Sequence, residues 1–293
     1  MSDELLVDKR LVRRSFERAA ATYDSAAVLQ NEVCQRVLGR LDYIKCQPAT
    51  ILDAGSGTGN ALAGLAQRYP QARLIALDIA PAMLLRSRSR APWWKNFLVR
   101  RPQPAAVCAD IERLPVADAS VGMVWSNLAL QWVNDLQQAF AEMQRVLAPG
   151  GLLMFSTFGP DTLKELRTAY QGTDQHTHVN RFIDMHDIGD MLVYSGFADP
   201  VMDMEVLTLT YADVRELMRD LKAIGAHNVT QGRPAALSGR ARFEAMARNY
   251  ETFRRGGKLP ATFEVVYGHA WKPQPRISPT GRPVIDIKPI ARS

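Results

Sequence analysis

The stretch LDAGSGTGN, from Leu52 to Asn60, decides the fold class of this chain. It follows an apolar run typical of a buried strand and opens the helical pattern TGNALAGLAQRY. Gly55, Gly57 and Gly59 lack β-carbons, so the backbone can approach a ligand and point free amide groups at it. Asn60 occupies the place of the third glycine in the dinucleotide-binding fingerprint GxGxxG, and no Lys-Ser or Lys-Thr pair of the phosphate-loop type is present. The stretch therefore predicts a strand–loop–helix ligand site of another class.

Apolar runs alternate with helical patterns along most of the chain. We expect strands in ATILDAG, ARLIALD, PAAVCAD, SVGMVWSN and LLMFSTFG, and later in DMEVLTLTY and TFEVVYGHAW. Short apolar strands separated by helices indicate a mostly parallel sheet with helices on both faces. The prediction is an α/β fold: a Rossmann-like, doubly wound, mostly parallel seven-stranded sheet. The turn APGG, at 148–151, is expected to close the helix before the fifth strand.

The patterns divide the chain into five segments. We expect an N-terminal helical cap over 1–47, a core over 48–210, a helical lid insertion over 211–260, a last core strand over 261–272 and a mobile tail over 273–293. Mobility of the tail is expected because it is rich in proline and has little apolar periodicity.

Acidic residues end the first three predicted strands. Asp78 lies 25 residues after Asp53, a spacing typical of a carboxylate that accepts both hydroxyls of a ribose. Asp110, with Ile111 beside it, is suited to accept an adenine amino group while the aliphatic side chain packs on the ring. An aspartate after a strand is more often a helix cap. Three of them at one edge of a sheet favour a nucleoside-containing ligand instead.

Composition excludes several classes of protein. With 47% hydrophobic and 23% charged residues, the chain is too apolar to be disordered. Cys34, Cys46 and Cys108 form neither a CxxC pair nor a ligand cluster, so we expect no disulfide and no metal site. There is no apolar stretch of membrane-spanning length and no signal-peptide pattern. We expect a soluble, cytoplasmic monomer with no membrane or nucleic-acid partner.

The segments LDAGSGTG, LIALDIA, CADIERLP and VWSNLALQW resemble the successive motifs of class I S-adenosylmethionine-dependent methyltransferases. The resemblance implies that S-adenosylmethionine binds and leaves as S-adenosylhomocysteine. It places Asp53 near the amino group of this cofactor, Asp78 at the ribose and Asp110 at the adenine. Asn127 and Leu128 are placed at the sulfonium end. The full set of implied cofactor-binding residues is Asp53, Gly55, Gly57, Gly59, Asp78, Ile79, Asp110, Ile111, Asn127 and Leu128.

A second resemblance extends over nearly the whole chain. The chain is similar to the carboxyl O-methyltransferases that esterify malonyl-acyl carrier protein in biotin synthesis, in the segments RRSFERAAATYDSAAVLQ, NLALQWVNDL, FGPDTLKELR, HVNRFIDMHDIGDMLVYSGF and LMRDLKAIGAHN. It implies acyl carrier protein, or coenzyme A, as carrier of the acceptor. Tyr23 matches a tyrosine that reaches the cofactor or the active site; an aromatic that only pins the N-terminal helix is the equal alternative. Gln131 and Trp132, as walls of an acyl pocket, complete the candidate catalytic residues.

The chemistry implied by this family fits the residues at hand. A carboxyl group with a reference pKa of about 4 is ionised at neutral pH, so methyl transfer to it needs no general base. It needs alignment of the reactants and a cation that holds the acceptor. Arg219 and Lys222 share one helical face, and Arg181 lies in HVNRF. We take these three as candidates for binding the malonyl carboxylate or the prosthetic arm, with plain solvated charge as the alternative.

A basic segment runs from Arg86 to Arg101 around Trp93 and Trp94. It is a candidate docking patch because acyl carrier proteins are acidic; single-stranded nucleic acid and ordinary positive surface are the alternatives. A non-catalytic cofactor-binding assembly module is a further alternative, which the intact Asp53, Asp78 and Asp110 disfavour. Two other enzymatic functions remain open. One is a methyltransferase of a quinone or other small lipid precursor. The other is a respiratory-complex assembly factor that hydroxylates a protein arginine, which FGPDTLKELR and LVYSGFADP also resemble.

Overall fold

The computed structural model describes residues 6–90, 103–173, 178–226 and 240–275. Within them the strands are β1 (Thr50–Ala54), β2 (Arg73–Asp78), β3 (Ala105–Cys108), β4 (Val121–Asn127), β5 (Leu147–Phe158), β6 (Ala198–Tyr211) and β7 (Leu259–Trp271). They form one sheet in the order β3-β2-β1-β4-β5-β7-β6. The first five pair in parallel, whereas β7 runs antiparallel to both of its neighbours. The expected α/β fold is confirmed.

Helices flank this sheet and precede it. In chain order they are α1 (Lys9–Ala19), α2 (Tyr23–Ala26), α3 (Val28–Arg40), α4 (Asn60–Arg68), α5 (Pro81–Arg90), α6 (Leu136–Val146), α7 (Lys164–Tyr170), α8 (Met185–Tyr194), α9 (Val214–Ala223) and α10 (Arg240–Glu251). Aspartates begin several of them: the Asp8 carboxylate accepts a hydrogen bond from the Arg10 amide at 2.9 Å, and the Asp213 carboxylate accepts one from the Glu216 amide at 2.9 Å. Such caps satisfy backbone donors that have no partner inside the helix.

The APGG segment does not form the expected closing turn. Helix α6 ends at Val146 and β5 begins directly at Leu147. The Gly150 amide donates a hydrogen bond of 2.9 Å to the carbonyl of Lys272, just beyond β7, so the segment stays in the sheet. The pairing of β4 with β5 absorbs the extra residues by a shift of register. The sequence pattern pointed to a turn because proline and glycine disfavour strands, and a partner far along the chain overrides that preference.

Both faces of the central strands are covered. Met123 and Trp125 of β4 pack into one apolar cluster, whereas Val124 between them packs with Phe140 and Phe155 into a second cluster. Successive side chains of a strand point to opposite faces, so the sheet lies between two cores. None of the helices in the described part of the chain is long and apolar enough to cross a membrane.

Gly268 of β7 provides a test of this packing. A β-carbon at this position would lie 2.3 Å from Cζ of Phe155, a fully buried ring, and 2.9 Å from Sδ of Met202. Since an overfilled core must shift to relieve such contacts, we expect Gly268→Ala to lower the free energy of unfolding by about 1–3 kcal/mol. Urea denaturation of the variant and of the unmodified protein measures this difference.

Gly189 of α8 is the matched control. The nearest atom to a β-carbon there is Cγ of Met202, at an ordinary contact distance of 3.7 Å. Alanine is also the better helix former, so Gly189→Ala should leave the free energy of unfolding unchanged or raise it by up to about 1 kcal/mol. Equal urea midpoints for the two alanine variants would contradict the tight packing of Gly268.

Candidate active site

A cavity of about 300 Å³ lies where the parallel strands end. Its walls include residues that end or directly follow β1 to β5: Gly55, Gly57, Asp78, Ile79, Ala109, Asp110, Ile111, Asn127, Leu128 and Phe158. Side chains of α1, α3 and α9 cover it, among them Val12, Phe16, Leu29 and Lys222. Sheets of this type bind ligands at the carboxyl ends of their strands, so the cavity is the candidate active site.

The loop between β1 and α4 is held against the sheet by close packing. The amides of Gly55 and Ser56 both donate to the carbonyl of Leu77, at 2.8 and 2.9 Å. Gly55 has a φ of +81°, and a β-carbon there would lie 2.2 Å from Cβ of Ala129. Only glycine fits, because both the backbone conformation and the space exclude a side chain.

Asp78 is the acid that organises this loop. Its Oδ2 accepts a hydrogen bond from the Gly57 amide and its Oδ1 one from the Ala80 amide, both at 2.8 Å. Burial raises the pKa of Asp78 to about 6, although both hydrogen bonds act in the opposite direction. The carboxylate is therefore fixed at the cavity wall by the backbone on either side of it.

Asp53 of β1 is buried, and one of its carboxyl oxygens accepts no hydrogen bond from the described residues. Only 2% of the residue is exposed, and the oxygen concerned is Oδ2. Burial, and next the charge of Asp78, raise the pKa of Asp53 to about 8. A buried carboxyl group without a donor is costly. Asp53 itself is not among the residues that line the cavity, whereas Asp78 is.

Asp110 contacts a lysine that sequence analysis did not single out. Nζ of Lys9, in the first turn of α1, lies 3.0 Å from Oδ1 of Asp110 and 3.0 Å from Oε2 of Glu112. Lys9 also lines the cavity, so α1 is tied to the end of β3 at the predicted adenine position. No local pattern reveals this contact, because the two partners are 101 residues apart in sequence.

The residues after β4 form a rigid wall. Leu128 has a φ of +48°, unusual for a branched side chain, and its amide donates to the carbonyl of Ser156 at 3.1 Å. Oδ1 of Asn127 accepts from the Ser156 hydroxyl at 2.9 Å, and Nε2 of Gln131 donates to the Leu128 carbonyl at 2.7 Å. The structure thus brings three of the expected site residues together, all at the cavity wall.

Tyr23 and Trp132 both pack against Phe16 of α1. The ring centroids lie 6.4 Å and 5.3 Å from that of Phe16, both in edge-to-face arrangements. Tyr23 also lines the cavity, and burial, followed by the charge of Asp78, raises the pKa of its hydroxyl. The two interpretations of Tyr23 are therefore compatible, since one ring both packs on α1 and faces the site. The neighbouring Asp24 accepts a hydrogen bond of 2.5 Å from Thr58, which fastens α2 to the glycine loop.

The three candidate cations are not equivalent. Lys222 is exposed yet lines the cavity, which places it at the mouth. Arg219 is not among the residues that line it, and its Nε points to the carbonyl of Arg215 at 3.4 Å. Arg181 lines a separate small cavity of about 60 Å³ next to Gln131. The sequence pattern did not distinguish Arg219 from Lys222, because both lie on one helical face. The position of α9 over the sheet decides which of them reaches the cavity.

Two polar residues without a recognisable sequence pattern complete the walls. Gln30 and Asn180 line the cavity, and each has a buried amide oxygen that accepts no hydrogen bond from the described residues. The aromatic rings of Phe158, Phe182 and Phe263 form an apolar part of the same wall, with centroids 5.8 Å apart for each contacting pair. The cavity thus combines acids, unsatisfied acceptors and an apolar region.

The basic segment Arg86–Arg101 is described only at its start. Nη2 of Arg86 donates to the carbonyl of Ala21 at 3.4 Å. Residues 91–102, which include Trp93, lie outside the described residues, as do 276–293 of the expected tail.

Comparison with known proteins identifies the family of this chain. A family model described as a methyltransferase domain matches residues 52–155. The chain is 61% identical over 284 residues to a malonyl-[acyl-carrier protein] O-methyltransferase of Gallionella capsiferriformans (strain ES-2), covering 97% of both sequences. It is 60% identical to the protein of that name from Nitrosospira multiformis, covering 93% of this chain and 92% of the relative.

Solved structures agree with the fold. The YcgJ protein of Bacillus subtilis matches with a TM-score of 0.56 at 16% identity, covering 82% of this chain and 99% of that one. A phosphoethanolamine N-methyltransferase 2 of Haemonchus contortus matches with a TM-score of 0.53 at 17% identity, covering 92% of this chain and 61% of that one. Identities this low support the shared fold alone. The near full-length identity to the relatives decides the family, and the chain belongs to the malonyl-[acyl-carrier protein] O-methyltransferases.

Proposed function

We propose that this protein transfers the methyl group of S-adenosylmethionine to the free carboxylate of a malonyl thioester carried by acyl carrier protein. The observation that carries the proposal is identity of 61% over 97% of the chain to a relative named for that reaction. S-adenosylmethionine is the methyl donor, which confirms the cofactor predicted from the motifs. The product is a malonyl methyl ester of the kind used in biotin synthesis, together with S-adenosylhomocysteine.

The acids at the ends of the strands fit this cofactor. We assign Asp78 to the two ribose hydroxyls, because its carboxylate is fixed at the cavity wall and carries acceptor positions beyond the two amide contacts. Asp53 is assigned to the amino group, because its unsatisfied Oδ2 would gain a charged donor. Asp110 and Ile111 are assigned to the adenine, and Lys9 holds the Asp110 carboxylate in place.

The acceptor carboxylate needs no base, because it is already ionised. When bound, the cofactor supplies an electrophilic methyl group on a positively charged sulfur. Lys222 at the mouth of the cavity is assigned to the malonyl carboxylate, where a single ammonium group leaves one oxygen free to attack. Esterification removes the negative charge that Lys222 binds. The neutral product is therefore held less tightly than the substrate.

The other residues that line the cavity exclude water and align the acceptor oxygen with the methyl group. Leu128, Trp132 and Phe158 present apolar surface in the cavity, and Gln131 fixes the backbone next to Leu128. Helix α9, from the segment 211–260 that was predicted as a lid, contributes Leu221, which is buried and lines the cavity; residues 227–239 of that segment lie outside the described residues. In a dry cavity a carboxylate loses its hydration shell, and the alignment of oxygen with methyl carries most of the rate enhancement.

The substrate assignment is tested by transfer of a labelled methyl group. Purified protein with methyl-labelled S-adenosylmethionine and malonyl-acyl carrier protein should form a methyl ester that base hydrolyses. The gene should also rescue a biotin-requiring strain that lacks the carboxyl methylation step. Transfer to a quinol precursor with none to malonyl-acyl carrier protein would contradict the assignment.

Lys222 and Arg219 offer a matched pair of variants on one helix. We expect Lys222→Ala to raise the KM for the malonyl thioester about tenfold, since it removes a charged hydrogen-bond donor. Arg219→Ala should change this KM less than about twofold, the small effect typical of an exposed charge. Steady-state kinetics with saturating S-adenosylmethionine provide the measurement. A larger effect of Arg219→Ala than of Lys222→Ala would refute the role of Lys222.

Asp78→Asn tests the ribose contact. The amide keeps an acceptor for the Ala80 amide but loses the charge that strengthens hydrogen bonds to hydroxyls. We expect the dissociation constant of S-adenosylmethionine, measured by calorimetry, to rise roughly tenfold to a hundredfold. Asp42→Asn is the control, because Asp42 is exposed and pairs with Arg68 away from the cavity. Equal affinities for the two variants would show that Asp78 does not contact the cofactor.

Binding of the cofactor should also depend on pH through Asp53. A group with a pKa near 8 is mostly neutral at pH 6, and its ionised fraction rises almost tenfold per pH unit up to the pKa. Since the amino group of the cofactor needs the ionised carboxylate, affinity should rise between pH 6 and 7.5 and protons should be released on binding. Calorimetry in buffers of different ionisation enthalpy detects the protons. Asp53→Asn should flatten the pH dependence, and a flat profile in the unmodified protein would disprove the assignment.

A further inference from the structure

Helix α1 carries a continuous stripe of arginines on its outer face. Arg10, Arg14 and Arg18 recur every four residues, and all three are exposed. Residues four apart on a helix are neighbours on its surface, so their guanidinium groups form one row. Among the described residues, no carboxylate forms an ion pair with any of them. Glu17, the acidic residue of α1, pairs instead with Arg13.

The inner face of the same helix forms part of the active-site wall. Lys9, Val12 and Phe16 line the cavity, on the side of α1 opposite the arginine stripe. The diameter of an α-helix with its side chains is about 10–12 Å. A molecule bound to the stripe therefore lies one helix diameter from the site of methyl transfer.

The stripe also leads to the mouth of the cavity. Oγ1 of Thr22, just after α1, donates a hydrogen bond of 3.1 Å to the carbonyl of Ala223, the residue after Lys222. The last arginine of the stripe, Arg18, is four residues before this contact. Val28, Asp220 and Lys222 are exposed and line the cavity, so they mark its opening. Cationic surface thus borders an entrance with one apolar, one acidic and one cationic side chain.

We propose that the arginine stripe Arg10–Arg14–Arg18 is the docking surface for the acidic body of the acyl carrier protein, which positions the prosthetic arm at the opening marked by Val28 and Lys222. The inference rests on the proposed function, since it assumes a carrier-bound substrate. A row of guanidinium groups that pair with no carboxylate of the described ranges complements the acidic surface of such a carrier. It also explains why these charges lie on the helix that walls the active site.

Charge removal at the stripe should separate docking from chemistry. We expect the triple variant Arg10→Glu/Arg14→Glu/Arg18→Glu to raise the KM for malonyl-acyl carrier protein about tenfold or more, with kcat at saturation and the affinity for S-adenosylmethionine changed less than twofold. The corresponding triple glutamine variant removes the charges without placing acids near the end of the helix, and should give an intermediate effect. Thermal unfolding of both variants verifies that α1 stays folded.

A control with equal charge change excludes a general effect of net charge. Arg73→Glu/Arg248→Glu/Lys258→Glu reverses three exposed cations that do not line the cavity and do not belong to α1. This variant should keep the KM of the unmodified protein within about twofold. An equal rise of KM in the control and in the stripe variant would overturn the proposal, as would an unchanged KM in the stripe variant.

Direct binding distinguishes failure of this surface from failure of the proposed function. Fluorescence anisotropy with labelled holo-acyl carrier protein, which carries no malonyl group, reports docking without turnover. The unmodified protein should bind it more weakly as ionic strength rises, and the stripe variant should bind at least about tenfold more weakly at low salt. Absence of methyl transfer with intact, stripe-dependent binding would count against the proposed reaction alone. Preferential, stripe-dependent binding of a single-stranded RNA over the carrier protein would assign the surface to nucleic acid and overturn the docking proposal.

Discussion

Two carboxyl groups buried at the ends of neighbouring strands set the conditions for the rest of this structure. Asp53 lies in β1 and Asp78 ends β2, and burial raises the pKa of both. Asp78 accepts hydrogen bonds from two backbone amides, whereas one oxygen of Asp53 finds no donor in the described part of the chain. Burying a carboxyl group that lacks a hydrogen-bond donor lowers the stability of the fold. Other interactions must offset this loss. The two apolar cores on either side of the sheet are large enough to do so.

The burial of these acids also depends on the N-terminal helices, which cover the cavity. A cavity open to water would hydrate the Asp78 carboxylate at its wall and weaken the electrostatic interaction of that group with a ligand. The contacts that hold the helices over it include Lys9 with Asp110, Asp24 with Thr58, and Thr22 with the end of α9. Each joins a helix outside the sheet to a loop or helix at the carboxyl ends of the strands. The N-terminal helices are therefore attached at the edge of the sheet where the cavity lies.

The sequence was most informative where function depends on backbone conformation. Gly55 is required by its φ and by the approach of Ala129, and such a requirement leaves a local pattern that can be recognised. The spacing of Asp53 and Asp78 follows from the length of one strand–helix–strand unit. Lys9 and Gln30 leave no such pattern, because their place at the cavity depends on how separate helices pack. The APGG segment was misjudged for the same reason, since its partner follows β7.

The chemistry of the acceptor explains why different parts of the cavity have different roles. A carboxylate is a weak nucleophile that needs no base, so the protein gains most by removing water and aligning the oxygen with the methyl group. A strong bidentate cation would hold both oxygens and reduce their reactivity, whereas one flexible lysine at the mouth leaves an oxygen free. Guanidinium groups can bind both oxygens of a carboxylate. Those of the stripe Arg10–Arg14–Arg18 lie on the outer face of α1, where they cannot reach the reacting carboxylate. One helix thus confines the chemistry on its inner side and, as we propose, recognises the carrier on its outer side.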